Sequence, residues 1–137
     1  MTLRLGSFGA PFGNESRIME TVYDFSADTG AVADYVLTAA ADTDLMVKLV
    51  AIKSDVAPTS GGAALLTVET TATADAFLNS EPYATFALGS VVIPENATTG
   101  GTAGFVKVAA TDTLQFSIEA AALTAGKLTF VWEIMEY

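Results

Sequence analysis

The clearest pattern in the chain is an alternation of side chains in residues 112–137. A period of two predicts β-strands, because successive side chains point to opposite faces. A short Ala/Thr/Gly connection separates the two alternating runs, which predicts a hairpin of two paired strands. The second run is expected inside a sheet, with Trp132 in the core. The residues that share a face are Leu114, Phe116 and Ile118 in the first run, and Leu128, Phe130, Trp132 and Ile134 in the second.

Shorter alternating or apolar stretches precede this pair. Residues 45–53 are the most apolar and carry apolar side chains on both faces, which predicts a central or covered strand. Residues 72–81 favour a short helical turn with Thr73 as its N-cap. Residues 55–62 and 94–104 are rich in Gly and Pro and are expected to interrupt the strands. Further strands are predicted at 17–25, 32–38, 63–71 and 105–109, with one or two short ones within 82–93.

About eight short strands with turn residues between them predict an all-β fold, an antiparallel β-sandwich or jelly roll. The chain of 137 residues has the length of one domain. We therefore expect a single β-sandwich domain at residues 17–137, preceded by an irregular N-terminal arm at residues 1–16. The apolar residues of that arm are candidates for binding a partner, namely Leu3, Leu5, Phe8 and Phe12.

Composition adds an expectation of self-assembly. Hydrophobic residues make up 51% of the chain and charged residues only 16%, and the mean hydropathy is +0.45. Apolar surface in excess of what a core needs is commonly buried against another subunit. No uninterrupted apolar stretch is long enough to span a bilayer, and no signal-peptide core is visible, so synthesis in a cytoplasm is expected.

The charge balance excludes two classes of partner. The net charge is −10, from 16 acidic and 6 basic residues. Nucleic acids and anionic membranes both require clustered positive charge. We therefore expect the chain to bind neither.

The chain contains no cysteine and no histidine. Disulfides, thiolate nucleophiles and the most common general base are therefore missing. We expect a protein that is not an enzyme and that needs no cofactor.

A few acidic and aromatic residues are candidates for a metal-binding, catalytic or sugar-binding site. Asp42 and Asp44, with Asp28 or Asp55 nearby, could supply oxygen ligands to Ca²⁺, but solvated acids in turns are the more common interpretation. Glu119 and Glu133 would need to face each other in a cleft to act as a catalytic pair, and their polar faces favour solvated acids. The tyrosines could line a sugar-binding surface, although packing on a β-sheet is more common: Tyr23, Tyr35, Tyr83 and Tyr137.

Three short sequence segments resemble segments of a known protein family. Residues 24–32 (DFSADTGAV), 57–64 (APTSGGAA) and 121–128 (AALTAGKL) occur in the order and with the spacing found in small phage-encoded virion proteins. The matched framework covers most of residues 22–137 and omits the arm and the loop at 94–104. The sequence thus resembles a family of jelly-roll structural proteins that decorate phage heads.

The resemblance implies a capsid decoration (cement) protein, often a homotrimer, on the capsid surface of a virion. Its expected partner is the major capsid protein, and no catalytic, cofactor-binding or metal-binding residues are implied. The alternatives are a carbohydrate- or receptor-binding module of a fibre or adhesin, and a component of the head–tail connector or tail. These hypotheses differ in the surface that binds, which the sequence leaves open.

Overall fold

The computed structural model describes residues 16–137, which form nine strands in two antiparallel sheets. A four-residue helix, α1 (Phe25–Asp28), follows the first strand. Two 3₁₀ turns lie at Tyr83–Thr85 and Pro94–Asn96. The strands are β1 (Arg17–Asp24), β2 (Ala33–Thr38), β3 (Leu45–Ser60), β4 (Leu65–Thr70), β5 (Leu78–Pro82), β6 (Val91–Val92), β7 (Val106–Val108), β8 (Leu114–Glu119) and β9 (Leu123–Glu136).

The strand order confirms the predicted fold class. Sheet A has the order β1-β9-β3-β6, with β7 also pairing with β3, and sheet B has the order β2-β8-β4-β5. When β6 and β7 are taken as two pieces of one strand, the two sheets have the strand order of a jelly roll. The structure has nine strands, more than the predicted eight or so, because this one strand is interrupted.

The core lies between the two sheets and is centred on β9. Trp132 is fully buried, and its ring meets the edge of Phe77 with centroids 5.1 Å apart. The indole N–H donates to the Thr21 hydroxyl over 2.9 Å, so that the one polar atom of the ring is satisfied. The predictions that Trp132 is a core residue and that its strand lies inside a sheet are both confirmed.

The predicted hairpin at the C-terminal end is wrong. β8 pairs with β2 and β4 in sheet B, whereas β9 pairs with β1 and β3 in sheet A. The connection crosses from one sheet to the other, and Phe116 of β8 meets Phe130 of β9 edge-to-face at 5.5 Å. Strands that face each other across a sandwich show the same alternation as strands that pair, because both bury one face.

The predicted interruption at 55–62 is also wrong, because β3 continues to Ser60. Pro58 lies where the pairing with β9 shifts register, between Val56 and Thr59, and a proline without an N–H is tolerated at such an irregularity. An earlier shift, between Leu49 and Ala51, turns Ile52 into the core, where it is 1% exposed. Strict alternation had placed Ile52 on the opposite face from Leu49.

The helical turn predicted at 72–81 is wrong as well. These residues form an irregular turn that leads into β5 at Leu78, and the Thr73 N–H donates to the Thr70 hydroxyl instead of Thr73 capping a helix. The short helix lies at α1, where Asp24 accepts the Ser26 N–H and acts as the N-cap. The strand predicted at 17–25 thus ends one residue earlier, at Asp24.

Neither α1 nor the 3₁₀ turns, the helical elements of residues 16–137, has the length and apolarity needed to cross a bilayer. The partner-binding candidates Leu3, Leu5, Phe8 and Phe12 lie outside the described residues. The boundary between an arm and a domain therefore stays a prediction.

Candidate binding surface

The solvent side of sheet A, here called face A, is defined by the outward side chains of β1, β9, β3 and β6. On β1, Met19, Thr21 and Tyr23 are buried, so that the alternate residues point to solvent. The cross-strand register extends this face over β9 and β3. Its members include Ile18, Glu20, Val22 and Asp24 of β1, Lys127, Val131 and Glu133 of β9, and Lys48 and Lys53 of β3.

Face A carries charges of both signs. Lys53 forms an ion pair with Glu20 at 3.0 Å, and the register places Lys127 opposite Asp24 and Lys48 opposite Glu133. Exposed pairs of this kind contribute little to stability. They do balance the charge of the face, which lowers the cost of covering it. All basic residues in the described part of the chain lie on strands of sheet A: Arg17, Lys48, Lys53, Lys107 and Lys127.

Apolar side chains are exposed on the same side of the molecule. Ile18 of β1 is 66% exposed and Val91 of β6 is 59% exposed. Val56 of β3 is 47% exposed. Single exposed apolar residues are ordinary, but several on one charge-balanced face are typical of a surface that becomes covered.

An open groove of about 310 Å³ lies at the end of face A next to α1. Its apolar lining includes Phe25, Val56 and Ala125, with Asp24 and Lys127 at the polar positions. The pKa of Asp24 is lowered because Ser26 donates its hydroxyl and its backbone N–H to that carboxylate. The groove therefore presents a fixed negative charge beside a positive one.

The three sequence segments that carry the family resemblance lie close together at this end of the molecule. The Leu123 N–H donates to the Gly30 carbonyl at 2.8 Å, and the hydroxyls of Thr59 and Thr124 lie 2.7 Å apart. A Cβ at Gly30 would lie 2.2 Å from the Leu123 carbonyl oxygen. Only glycine allows this approach. The close packing of these sequence segments therefore explains why a glycine is required at position 30.

The solvent side of sheet B, here called face B, is a hydrogen-bonded polar network. Glu119 accepts from the hydroxyls of Thr67 and Ser80, each at 2.9 Å. Gln115 donates to Glu69 at 2.8 Å, and Ser117 donates to Asp34 at 2.8 Å. Face B contains acids and amides but none of the described basic residues.

The acids of face B influence one another. Burial raises the pKa of Glu69, and the charges of Asp34, Asp75 and Glu119 raise it further. The hydrogen bond from Gln115 lowers the pKa, but its influence is smaller than that of burial. Face B is thus acidic and already bonded within itself, which makes it a poor surface for an apolar or anionic partner.

Glu81 is the one fully buried carboxylate in residues 16–137. Burial by itself would raise its pKa, but donors from Thr85, Thr98 and Thr99 outweigh burial and lower it. Through these bonds β5 of sheet B holds the loop between β6 and β7. Sequence reasoning missed this residue, since a Glu at the end of a predicted helical turn gives no sign of burial.

The structure separates Glu119 and Glu133, the two acids considered as a catalytic pair. Glu119 lies in sheet B opposite Leu65, and Glu133 lies in sheet A opposite Ile18. The suggestion that they approach each other on paired strands is wrong, because β8 and β9 belong to different sheets. That the chain is not an enzyme stays a prediction.

The aspartates considered for Ca²⁺ are dispersed. Asp44 accepts the Ala110 N–H and pairs with Lys107 at 3.6 Å, while Asp55 accepts from Thr129. Asp28 accepts the Asp24 N–H at the other end of the sheet. Residues 16–137 bring no three acidic side chains together in a group that could hold a metal ion.

The tyrosines do not converge on a groove. Tyr23 is 1% exposed and packs against Tyr35 and Phe116. Tyr83 packs partly buried against the core, and Tyr137 lies under the Lys107 ammonium. Tyr23, Tyr35 and Tyr83 therefore pack in or against the core, as the more common interpretation held, whereas Tyr137 is 70% exposed.

No protein-family model matches the sequence, and no curated protein matches it either. A similar solved structure is a chain of the cyanophage Pam1 capsid asymmetric unit. The likeness has a TM-score of 0.64 at 16% sequence identity and covers 94% of this chain and 90% of that chain. The two chains share their fold over nearly their whole length.

Proposed function

We propose that this protein is a structural protein of a phage virion, and that it is a decoration (cement) protein that binds the outer capsid surface and stabilises the shell. The observation that carries the proposal is the fold shared, over 94% of the chain, with a chain of a phage capsid asymmetric unit. The resemblance of three sequence segments to segments of small virion proteins independently supports the same proposal.

Face A is the surface proposed to bind the major capsid protein. It exposes Ile18, Val56 and Val91 and balances its charges within itself. A partner that covers such a face buries apolar area without leaving unpaired charge of one sign in the interface. Face B would bring several carboxylates into a contact with no basic residue of its own beside them. A homotrimer, which the apolar composition and the resemblance favour, completes the proposal.

The test is to mix the purified protein with capsids of its phage that lack it, and to measure binding by co-sedimentation and cryo-electron microscopy. Density at the threefold or quasi-threefold axes of the outer surface, and greater resistance of the capsid to heat, are expected. The cement function is wrong if the capsids bind none of the protein. Density in one ring at a single vertex would instead indicate the connector, and binding in a glycan array would indicate the carbohydrate-binding alternative.

A further inference from the structure

The strand that borders β3 on the side away from β9 is interrupted. β7 pairs with β3 at Leu45–Val47, and β6 pairs with it at Ile52 and Lys53. Within the described residues, β3 residues 48–51 therefore have no strand partner on that side. Pro94 starts a 3₁₀ turn two residues after β6, and a proline lacks the N–H that a continuing strand would need to donate.

The chain between β6 and β7 is bonded elsewhere and does not fill the gap. Thr98 and Thr99 donate to the buried Glu81 carboxylate. The Thr102 N–H donates to the Phe77 carbonyl at 3.0 Å. Because these bonds tie the loop to sheet B, the interruption beside β3 is a fixed feature of the fold.

A cleft of about 220 Å³ opens at the gap. Leu49, Ile93, Pro94 and Ala103 supply its apolar lining, and Lys48 and Glu95 lie among its polar residues. An unpartnered stretch of strand next to an apolar cleft has the elements of a site for strand addition. In that mode the backbone of an extended segment pairs with the open edge, and alternate side chains enter the cleft.

We propose that residues 2–5 of a neighbouring copy (TLRL) add to β3 beside residues 48–51. The segment matches the gap in length, with four residues for four. Its alternation places Leu3 and Leu5 together on one face, which suits the apolar lining, and Arg4 has the charge to pair with the exposed Glu95 at the cleft. The segment lies before Arg17, outside the described residues, and residues 6–16 can span about 36 Å when extended.

We take the neighbouring copy as the donor because β1 lies at the opposite edge of sheet A from the gap and the excess of apolar residues favours assembly with another copy. A segment of the same chain would have to cross β9 and β3 to reach it. Donation of each segment to the next copy is a head-to-tail contact, which closes into a ring such as a trimer. The inference rests on the proposed function only in that the chain assembles with itself.

Disulfide trapping tests the inference, since the chain contains no cysteine. Full-length protein with Leu3→Cys is mixed with full-length protein with Ala103→Cys, without capsids, under mild oxidation. Ala103 lines the cleft and is exposed. The expected result is a linked heterodimer, at least tenfold more abundant than with Val36→Cys in place of Ala103→Cys. Val36 is 54% exposed on face B and serves as the matched control.

A charge exchange gives a second readout. Arg4→Glu or Glu95→Arg alone should lower the linking yield, and the two changes together should restore it. Linking no greater than in the Val36→Cys control overturns the site. If one chain carrying both cysteines links only within itself, the neighbour is not the donor. Capsid binding is measured separately, so that failure of the proposed function and failure of this inference are distinguishable.

Discussion

The two outer faces of this sandwich differ in how their charged and polar side chains are paired and in the apolar side chains that they expose. Face A leaves apolar side chains such as Ile18 exposed and has lysines close to acids of other strands, as in the Lys53–Glu20 ion pair. Face B uses its acids to accept hydrogen bonds from its own threonine, serine and glutamine side chains. A face whose polar groups are already satisfied gains little from a partner, whereas exposed apolar surface gains from being covered. The comparison therefore supports the proposal that a partner binds face A, whereas the polar groups of face B bond among themselves.

The largest effect is expected beneath face A. Trp132→Ala removes the largest buried side chain and leaves the Thr21 hydroxyl without its donor, so the free energy of unfolding should fall by about 3–5 kcal/mol. Urea denaturation followed by circular dichroism measures it. Val131→Ala, the adjacent half-buried residue on face A, is the control and should lose at most about 1 kcal/mol. Equal losses would contradict an apolar core centred on β9.

The next effect concerns the polar anchor of sheet B. Glu81→Ala leaves three threonine residues without their acceptor, which should lower the free energy of unfolding by about 2–3 kcal/mol. Glu95→Ala, an exposed acid on the same loop, should change little.

The difference between wild type and Glu81→Ala should depend on pH. Because the folded protein lowers the pKa of Glu81, its stabilisation is complete above the ordinary pKa of about 4.3 and is lost as the pH falls through the lowered value. Denaturation curves at neutral and acidic pH measure this. A difference that is constant with pH would mean that Glu81 does not act as a carboxylate.

The third prediction tests whether face A is the surface that binds the capsid. Ile18→Asp places a charge among exposed apolar residues and should weaken capsid binding about tenfold or more, equivalent to about 1.4 kcal/mol. Val36→Asp makes the same kind of change on face B, where the residue is 54% exposed, and should leave the affinity unchanged. Titration of capsids with each variant measures the dissociation constants. A greater loss for Val36→Asp would exchange the roles of the two faces.

The smallest effect is a stabilisation. The folded protein raises the pKa of Glu69, so its contribution is favourable below the ordinary pKa and is lost as the pH rises through the raised value. Glu69→Gln removes that penalty while an amide oxygen can still accept from Gln115. The free energy of unfolding at pH 7 should rise by up to about 0.5 kcal/mol. A loss at pH 7 would show that the carboxylate's hydrogen bond matters more than its desolvation.

Prediction from sequence succeeded where a pattern is local. The alternation in β1 and β9 correctly identifies which residues share a face, and the buried set of β9, Leu128, Phe130, Trp132 and Ile134, was read directly from it. It failed for Ile52, because a bulge shifts the face without any sign in the alternation. It also failed for Pro58, where turn-forming residues lie in a strand whose irregular pairing accommodates them.

The sequence by itself determined that the chain forms strands, which side chains β1 and β9 bury, and that it contains neither cysteine nor histidine. Those properties depend on the covalent period of the backbone and on side-chain identity, which each short stretch carries with it. The tertiary structure alone decided which strands pair, and so separated Glu119 from Glu133 and set face A against face B. It also placed Glu81 in the interior and left β3 without a strand partner between β6 and β7 among residues 16–137. Partner choice between strands is a competition among residues distant in sequence, and no local period records its outcome.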